Sequence, residues 1–315
     1  MLFNPQSIDC FIDLIYSPKT TKISNELEAC LIVSGADHGI AREKFSRYQY
    51  GETLSVLKFS ASNHSPVSIL SSSLGMKKYF FNIGCTRKDE NPFISNQFYQ
   101  GAGTNSIADE DAMAVGTIDK IFEEAKYFIP QIQAENICLG EVGIGNTIST
   151  TVLTSIITKQ KAEAITGKGS GINDQQLNQK IKLIKKCIER HKTTHNNIHD
   201  PLILLQSLGG LEIVWNIALI LQASKNNKMV FLDGYISTLS AAVAFMIDSQ
   251  IKQHLIATHL SREPGHQFLL NFIGLRPFLN LDLALGQGFG AVLGFSFINS
   301  QRKVFHGKLK NLSKI

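Results

Sequence analysis

Short apolar runs alternate along this chain with longer segments whose apolar residues recur at helical spacing, as in a parallel-sheet α/β protein. The clearest strands are Ala29 to Ser34, Lys78 to Ile83, Asn136 to Leu139 and Met229 to Leu232. The first, third and fourth run straight into Gly-containing polar turns, SGADHG, GEVGIGNT and DGYIST. An open parallel sheet gathers its ligand crevice outside the carboxyl ends of its strands, so the three turns are expected to converge on one site. Helices are expected over Thr147 to Lys161, Asp174 to Arg190, Pro201 to Ser224 and Ser237 to Ile247, opened by Thr, Asp or Ser caps. In KIKLIKKCIERHK, Ile181, Ile184 and Ile188 share one helical face and the lysines the other, which reads as a solvated face.

A hydrophobic content of 43% over 315 residues allows a large core without demanding two domains, and no internal repeat or low-complexity linker divides the chain. The net charge of +5 is mild and its Lys and Arg are scattered, so neither nucleic acid nor membrane is an expected partner, while small anions are. Cys10, Cys30, Cys85, Cys138 and Cys187 are far apart, odd in number and set mostly among apolar residues, which reads as reduced core thiols. The opening MLFNPQSIDCF has no basic segment followed by an apolar run, and no window is apolar enough to span a bilayer. A cytoplasmic protein is the expectation.

Candidate chemistry sits in the turns. GEVGIGNT follows a strand and opens a helix, so its N–H groups and the helix dipole favour an anion, a phosphate above all; a ligand-free tight turn accounts for the glycines equally well. Glu141 at its mouth reads as a proton acceptor, a ligand holder or a cap. TGKGSG places Lys168 between glycines, where its ammonium can approach a phosphate, although the loop lacks the spacing of a Walker A motif. Asp233 ends a strand and Gly234 follows it, a usual position for gripping ribose hydroxyls, or for a helix N-cap. SREPGH offers Ser261, a guanidinium and a carboxylate before Pro264, which suits the first turn of a helix. His191, His195 and His199 recur every fourth residue, but KTTHNNIHD is a poor helix and no metal is expected there. His38 reads as a histidine satisfied by backbone groups, or as a catalytic one.

Taken in order, SGADHGIAREKFS, GEVGIGNT, TGKGSGINDQQL, DPLILLQSLGGLEI, FLDGYISTLSA, HLSREPGHQFLL and LGQGFGA resemble the nicotinate-nucleotide:dimethylbenzimidazole phosphoribosyltransferase family, from about Val33 to Leu293. The resemblance implies a Rossmann-like, doubly wound parallel sheet flanked by helices, with a small helical lobe from approximately 1–28 and 276–315. It implies a homodimer, or a heterodimer with an active relative, and transfer of phosphoribosyl from nicotinate mononucleotide to a nitrogen of dimethylbenzimidazole without metal or cofactor. By position in the motifs, Glu141, Gly143, Lys168 and Ser261 are implied to surround the ribose phosphate, with Asp233 and Gly234 lining the same cleft. Gly145, Ser46 and Leu285 join the substrate-binding set.

The chain departs from the family at the residue implied to be the general base, a Glu between the glycines of the last motif, which is Gln287 here. An amide holds a substrate by hydrogen bonds but accepts no proton at neutral pH. Loss of a positioned general base costs about 10²–10⁴ in rate. An azole attacks with an in-plane lone pair and sheds its other proton only as the new bond forms, to water or Glu141, so residual transfer to an azole is expected to outlast transfer to a phenol. The alternative is a silent homologue that binds a nucleotide or base, or that partners an active relative. Phe289 stands where the family has a small Thr, and Leu54 and Ser55 occupy the region of a customary Gln, so a reshaped acceptor pocket is expected.

Overall fold

The computed structural model describes residues 27–168 and 171–312, the segment 304–312 by its backbone alone. Cys10, the SPKTTK stretch, Gly169 and Ser170 lie outside the described residues.

The described residues form one five-stranded sheet, ordered β2-β1-β3-β4-β5. Its strands are β1 (Ala29–Ala36), β2 (Lys77–Gly84), β3 (Asn136–Val142), β4 (Met229–Leu232) and β5 (Leu255–Ala257). Every pairing is parallel. The four expected strands are present; β5 has only three residues, too few to show a period in the sequence. Consecutive residues alternate between two apolar layers, because a strand points successive side chains to opposite faces. Cys30, Ile32, Ile137, Leu139, Val230 and Leu232 enter the larger core. Leu31, Val33, Cys138, Phe231 and Ile256 enter the smaller one.

Eleven helices are described: α1 (Thr53–Ala61), α2 (Pro66–Ser73), α3 (Thr117–Phe128), α4 (Asn146–Thr158), α5 (Ala162–Ile165), α6 (Asp174–Thr194), α7 (Pro201–Leu208), α8 (Leu211–Lys225), α9 (Tyr235–Ile247), α10 (His266–Ile273) and α11 (Phe289–Leu312). Helices α1, α2 and the first half of α11 supply the smaller core, the last through Ala291, Val292, Phe295 and Ile298. Those from α3 to α10 cover the opposite face, with Trp215 fully buried among Phe81, Phe98 and Phe128.

Several local expectations are corrected. Pro201 to Ser224 is two helices, not one: the chain breaks at Gly209 and Gly210, where a side chain on residue 210 would run into the His38 ring. Helices α4 and α9 are opened by Gly145 and Gly234, not by Thr or Ser. Asp200 does cap α7, accepting from the N–H groups of Leu202 and Ile203. The charged face of α6 is not wholly solvated, since Lys180 is buried and donates from Nζ to the Gly167 carbonyl at 2.9 Å. His191 donates to the Ile198 carbonyl and His195 to Asp111; no cluster suited to a metal occurs among the described residues. Cys30, Cys85, Cys138 and Cys187 are buried free thiols, and burial raises all four above the ordinary thiol range.

Candidate active site

The strand order reverses between β1 and β3, the switch point at which open α/β sheets bind ligands. Register brings the signature turns to one edge: Ser34 pairs with Glu141, Leu139 with Leu232 and Leu232 with Ala257. Above these strand ends lies a cavity of about 490 Å³. It is lined by the residues after β1 and β3, by the turns after β4 and β5, and by the Gly-rich loop that enters α11.

Nine of the ten residues singled out from the sequence line this cavity: Gln287, Glu141, Gly143, Gly145, Asp233, Gly234, Ser261, Ser46 and Leu285. Lys168 does not. Its ammonium is half exposed and lies 2.7 Å from Asp174 at the start of α6. The cation that lines the cavity is Arg47, whose guanidinium packs against the backbone of Gly171 in the loop that carries Lys168.

The turn after β3 is shaped by close approach. A methyl group on residue 143 would lie 2.5 Å from Glu212 Oε1 and 2.9 Å from Asn146 Nδ2, so only Gly fits. Gly145 has φ +97°, the left-handed region that favours glycine. Three N–H groups of the turn are taken up within the protein, Ile144 by the Thr53 hydroxyl, Asn146 by the Gly143 carbonyl and Ile148 by the Gly145 carbonyl. Those of Gly145 and Thr147 have no protein acceptor among the described residues. Beneath the turn, His38 lies 2.7 Å from Glu212 and 3.1 Å from the Ser149 hydroxyl. It is therefore satisfied by side chains, not by backbone groups as expected.

Glu141 is buried and accepts from Asn146 Nδ2 at 2.6 Å. Burial, with the neighbouring Glu212 and Asp233 carboxylates adding to it, pushes its carboxyl up to about 8. Asp233 lines the cavity but does not cap α9, which Gly234 opens. Its two oxygens accept from the N–H groups of Gly288 and Gly290, at 2.9 and 2.6 Å, and so clamp the loop before α11. Within that loop Gly286, Gln287 and Gly288 all have positive φ, at +66°, +63° and +85°. Left-handed backbone costs a non-glycine residue about 1–2 kcal/mol, which the Asp233 clamp offsets. The Gln287 amide oxygen takes the Ser60 hydroxyl at 2.7 Å.

Besides Arg47, sequence reasoning missed four participants. Ser60, on a helix with no visible motif, reaches Gln287 across 227 positions of chain. Val56, rather than Leu54 or Ser55, is what α1 offers to the cavity; Leu54 is in the core and Ser55 is exposed. Asn146 stood within GEVGIGNT and His259 two residues before Ser261 in HLSREPGH, so both had a signal. His259 is buried, lines the cavity and lies against Gly290; burial lowers its proton affinity, while the Asp233 charge opposes that. His266 is held neutral by burial, down to about 3, and its Nδ1 accepts from the Ser261 N–H at 3.0 Å. Its Nε2–H then faces the Thr238 hydroxyl at 2.9 Å. That fixes the backbone of Ser261, whose own hydroxyl is buried with no partner among the described residues.

A methyl group at position 290 would run into the His259 ring and stand 2.8 Å from Asp233 Oδ1. Gly290→Ala is expected to destabilise the fold by about 1–3 kcal/mol, the usual cost of overpacking, read as a lower midpoint in thermal unfolding. An unchanged midpoint would show that His259 and Asp233 move aside freely.

A family model described as phosphoribosyltransferase matches residues 11–310. Among curated proteins, the nicotinate-nucleotide–dimethylbenzimidazole phosphoribosyltransferase of Shewanella piezotolerans is 32% identical over 86% of this chain and 79% of its own. The protein of the same name from Dehalococcoides mccartyi is 32% identical over 92% and 80%. Among solved structures, that of CobT from Thermus thermophilus superposes with a TM-score of 0.86 at 26% identity, covering 96% of this chain and 92% of that one.

Proposed function

Because the chain belongs to the nicotinate-nucleotide:dimethylbenzimidazole phosphoribosyltransferase family, we propose that its cavity carries out that family's reaction in the synthesis of the lower ligand of cobalamin. The phosphoribosyl group of nicotinate mononucleotide moves to a ring nitrogen of dimethylbenzimidazole or a related aromatic base. The product is of the α-ribazole-phosphate type. The observation that carries the reading is the meeting of nine sequence-named residues, from five separate segments, around one cavity of substrate size.

In this reading the phosphate sits at the Gly143–Gly145 turn and the start of α4, with the unpartnered Ser261 hydroxyl as a donor and Arg47 or a reoriented Lys168 as the cation. The acceptor's lone pair forms the new bond to the anomeric carbon from the face opposite the leaving group. The carbon–nitrogen bond to the pyridinium breaks, its electron pair staying on the nitrogen, and nicotinate leaves. The Gln287 amide oxygen accepts a hydrogen bond from the acceptor's ring N–H and so orients it, while the proton itself passes to Glu141. A carboxyl titrating near neutrality is matched to that task, and the cationic donor ring favours its ionised form.

Purified protein given nicotinate mononucleotide and dimethylbenzimidazole is expected to release nicotinate, faster than with phenol as acceptor. Faster turnover with phenol would overturn the azole preference, and no release with any acceptor would overturn the transfer reading. The silent-homologue alternative draws on Gln287 alone, while Glu141 still gives the cavity a titratable carboxyl.

The chain ends, approximately 1–28 and 276–315, are read as a small helical lobe built around the far part of α11, and a homodimer, or a heterodimer with an active relative, as the working assembly. Light scattering on the purified chain, alone and mixed with a relative, tests the assembly. A cytoplasmic place of action is part of the same proposal; no described helix is long and apolar enough to cross a membrane.

A further inference from the structure

Three carboxylates line the cavity, and two are already engaged. Asp233, the residue expected to grip ribose hydroxyls, gives both oxygens to Gly288 and Gly290. Glu141 is held by Asn146. The third, Glu263 in SREPGH, accepts no hydrogen bond from any described residue, yet it is not a free surface group. It is partly buried, and a side chain on residue 167 would run into its Oε2, with Pro264 Cδ 3.0 Å away. Nor is it a helix cap: α10 starts after Gly265 with no side-chain cap.

Its position is set from behind. Lys180 is fully buried on α6 and ties the Gly167 carbonyl down at 2.9 Å, which keeps the Thr166–Lys168 stretch against Glu263. Burial raises the Glu263 carboxyl above the ordinary carboxylate range and the nearby ammonium partly opposes that, without forming an ion pair. The result is a carboxyl held in place at the cavity wall, its proton affinity raised. Two residues along the same loop, Ser261 also lines the cavity, and its hydroxyl is buried with no partner among the described residues.

We propose that Glu263 is the ribose-reading residue of this site, its carboxylate accepting hydrogen bonds from the 2′- and 3′-hydroxyls of the donor nucleotide while Ser261 meets the 5′-phosphate. The chemistry suits the group, because a carboxylate accepts only and a cis-diol presents two donors side by side. The inference rests on the phosphoribosyl-transfer reading and adds to it the residue that distinguishes ribose from deoxyribose.

The test is equilibrium binding of nicotinate mononucleotide and its 2′-deoxy analogue, without acceptor, to the native chain and to Glu263→Gln and Glu263→Ala. Binding is preferred to turnover because removal of the 2′-hydroxyl also changes the intrinsic lability of the glycosidic bond. The native chain is expected to favour the ribonucleotide by about 10- to 100-fold, the worth of one hydrogen bond to a charged group. Glu263→Gln should show a smaller preference and Glu263→Ala less than about 3-fold, with the deoxy analogue held almost as well as by the native chain. Equal binding of both donors by the native chain, or native discrimination retained in Glu263→Gln, overturns the inference and leaves the transfer reading intact. No binding of either donor to the native chain overturns both. If Glu263→Ala does not fold, the native and Gln proteins decide alone.

Discussion

Replacing Gln287 by Glu is expected to raise the turnover number for transfer to dimethylbenzimidazole by about 10²–10⁴, the usual contribution of a positioned general base. The loop needs no rebuilding. A Glu would inherit the same left-handed backbone, the same Ser60 hydroxyl at its tip and the same Asp233 clamp on Gly288 and Gly290. The Ser60 O–H donates to a carboxylate more strongly than to an amide, which holds the new group ionised. Glu141 and Asp233 oppose that by like charge, so the gain should grow as pH rises. Donor affinity measured without acceptor should change little, which separates a chemical gain from better binding. An unchanged turnover number with native affinity would show that residue 287 is not where the acceptor's proton leaves.

Glu141→Gln is expected to cost the native chain about 10²–10⁴ in turnover, since with Gln at 287 and both Asp233 oxygens taken by the loop backbone, Glu141 is the remaining carboxyl beside the loop that would position the acceptor. The pH profile carries the sign. With its carboxyl raised to about 8 by burial, Glu141 holds its proton at neutral pH in the empty site, so native turnover should climb as pH passes from about 7 through 8. That alkaline rise should vanish in Glu141→Gln and be replaced by the new base in Gln287→Glu.

Stability runs the opposite way. The folded chain keeps this proton from about pH 4.5 to 8, where the unfolded chain has lost it, so the contribution of Glu141 is full below about 4.5 and declines as pH rises through 8. Glu141→Gln should therefore flatten the fall in unfolding midpoint between about pH 5 and pH 9. A native profile without the alkaline rise, together with an unaltered stability slope in the variant, would remove Glu141 from the proton path.

Much of the fold was legible because its signals are local. A strand buried on both faces has to be apolar at every position, and the runs around Ile32, Phe81, Cys138 and Phe231 show that directly. Asp200 announced its helix, and Pro264 announced α10, because caps and ring constraints act within one turn. The three-residue β5 escaped because it is shorter than any period. The split between α7 and α8 escaped because the backbone turns extended at Gly209 and Gly210, and the His38 ring that excludes a side chain from residue 210 comes from a distant part of the chain.

The site divides along the same line. Glu141, Gly143, Ser261 and Gln287 stood in turns whose composition marked them, and all line the cavity. Asp233 was marked too, but its work is to hold the Gln287 loop. Lys168 was placed at the phosphate by its flanking glycines, whereas its ammonium lies on Asp174. Ser60, Arg47 and the buried Lys180 had no signal, because each acquires its role from a partner remote in sequence.

What the amino-acid sequence determined by itself was the class of fold, the family and the short list of chemical groups, since apolar period, turn glycines and motif order are properties of neighbouring residues. Only the tertiary structure decided which of those groups face the cavity and which brace it. Proton affinity and open hydrogen-bonding capacity depend on the atoms within a few ångströms, and around Glu141, Asp233 and Glu263 most of those atoms arrive from elsewhere in the chain.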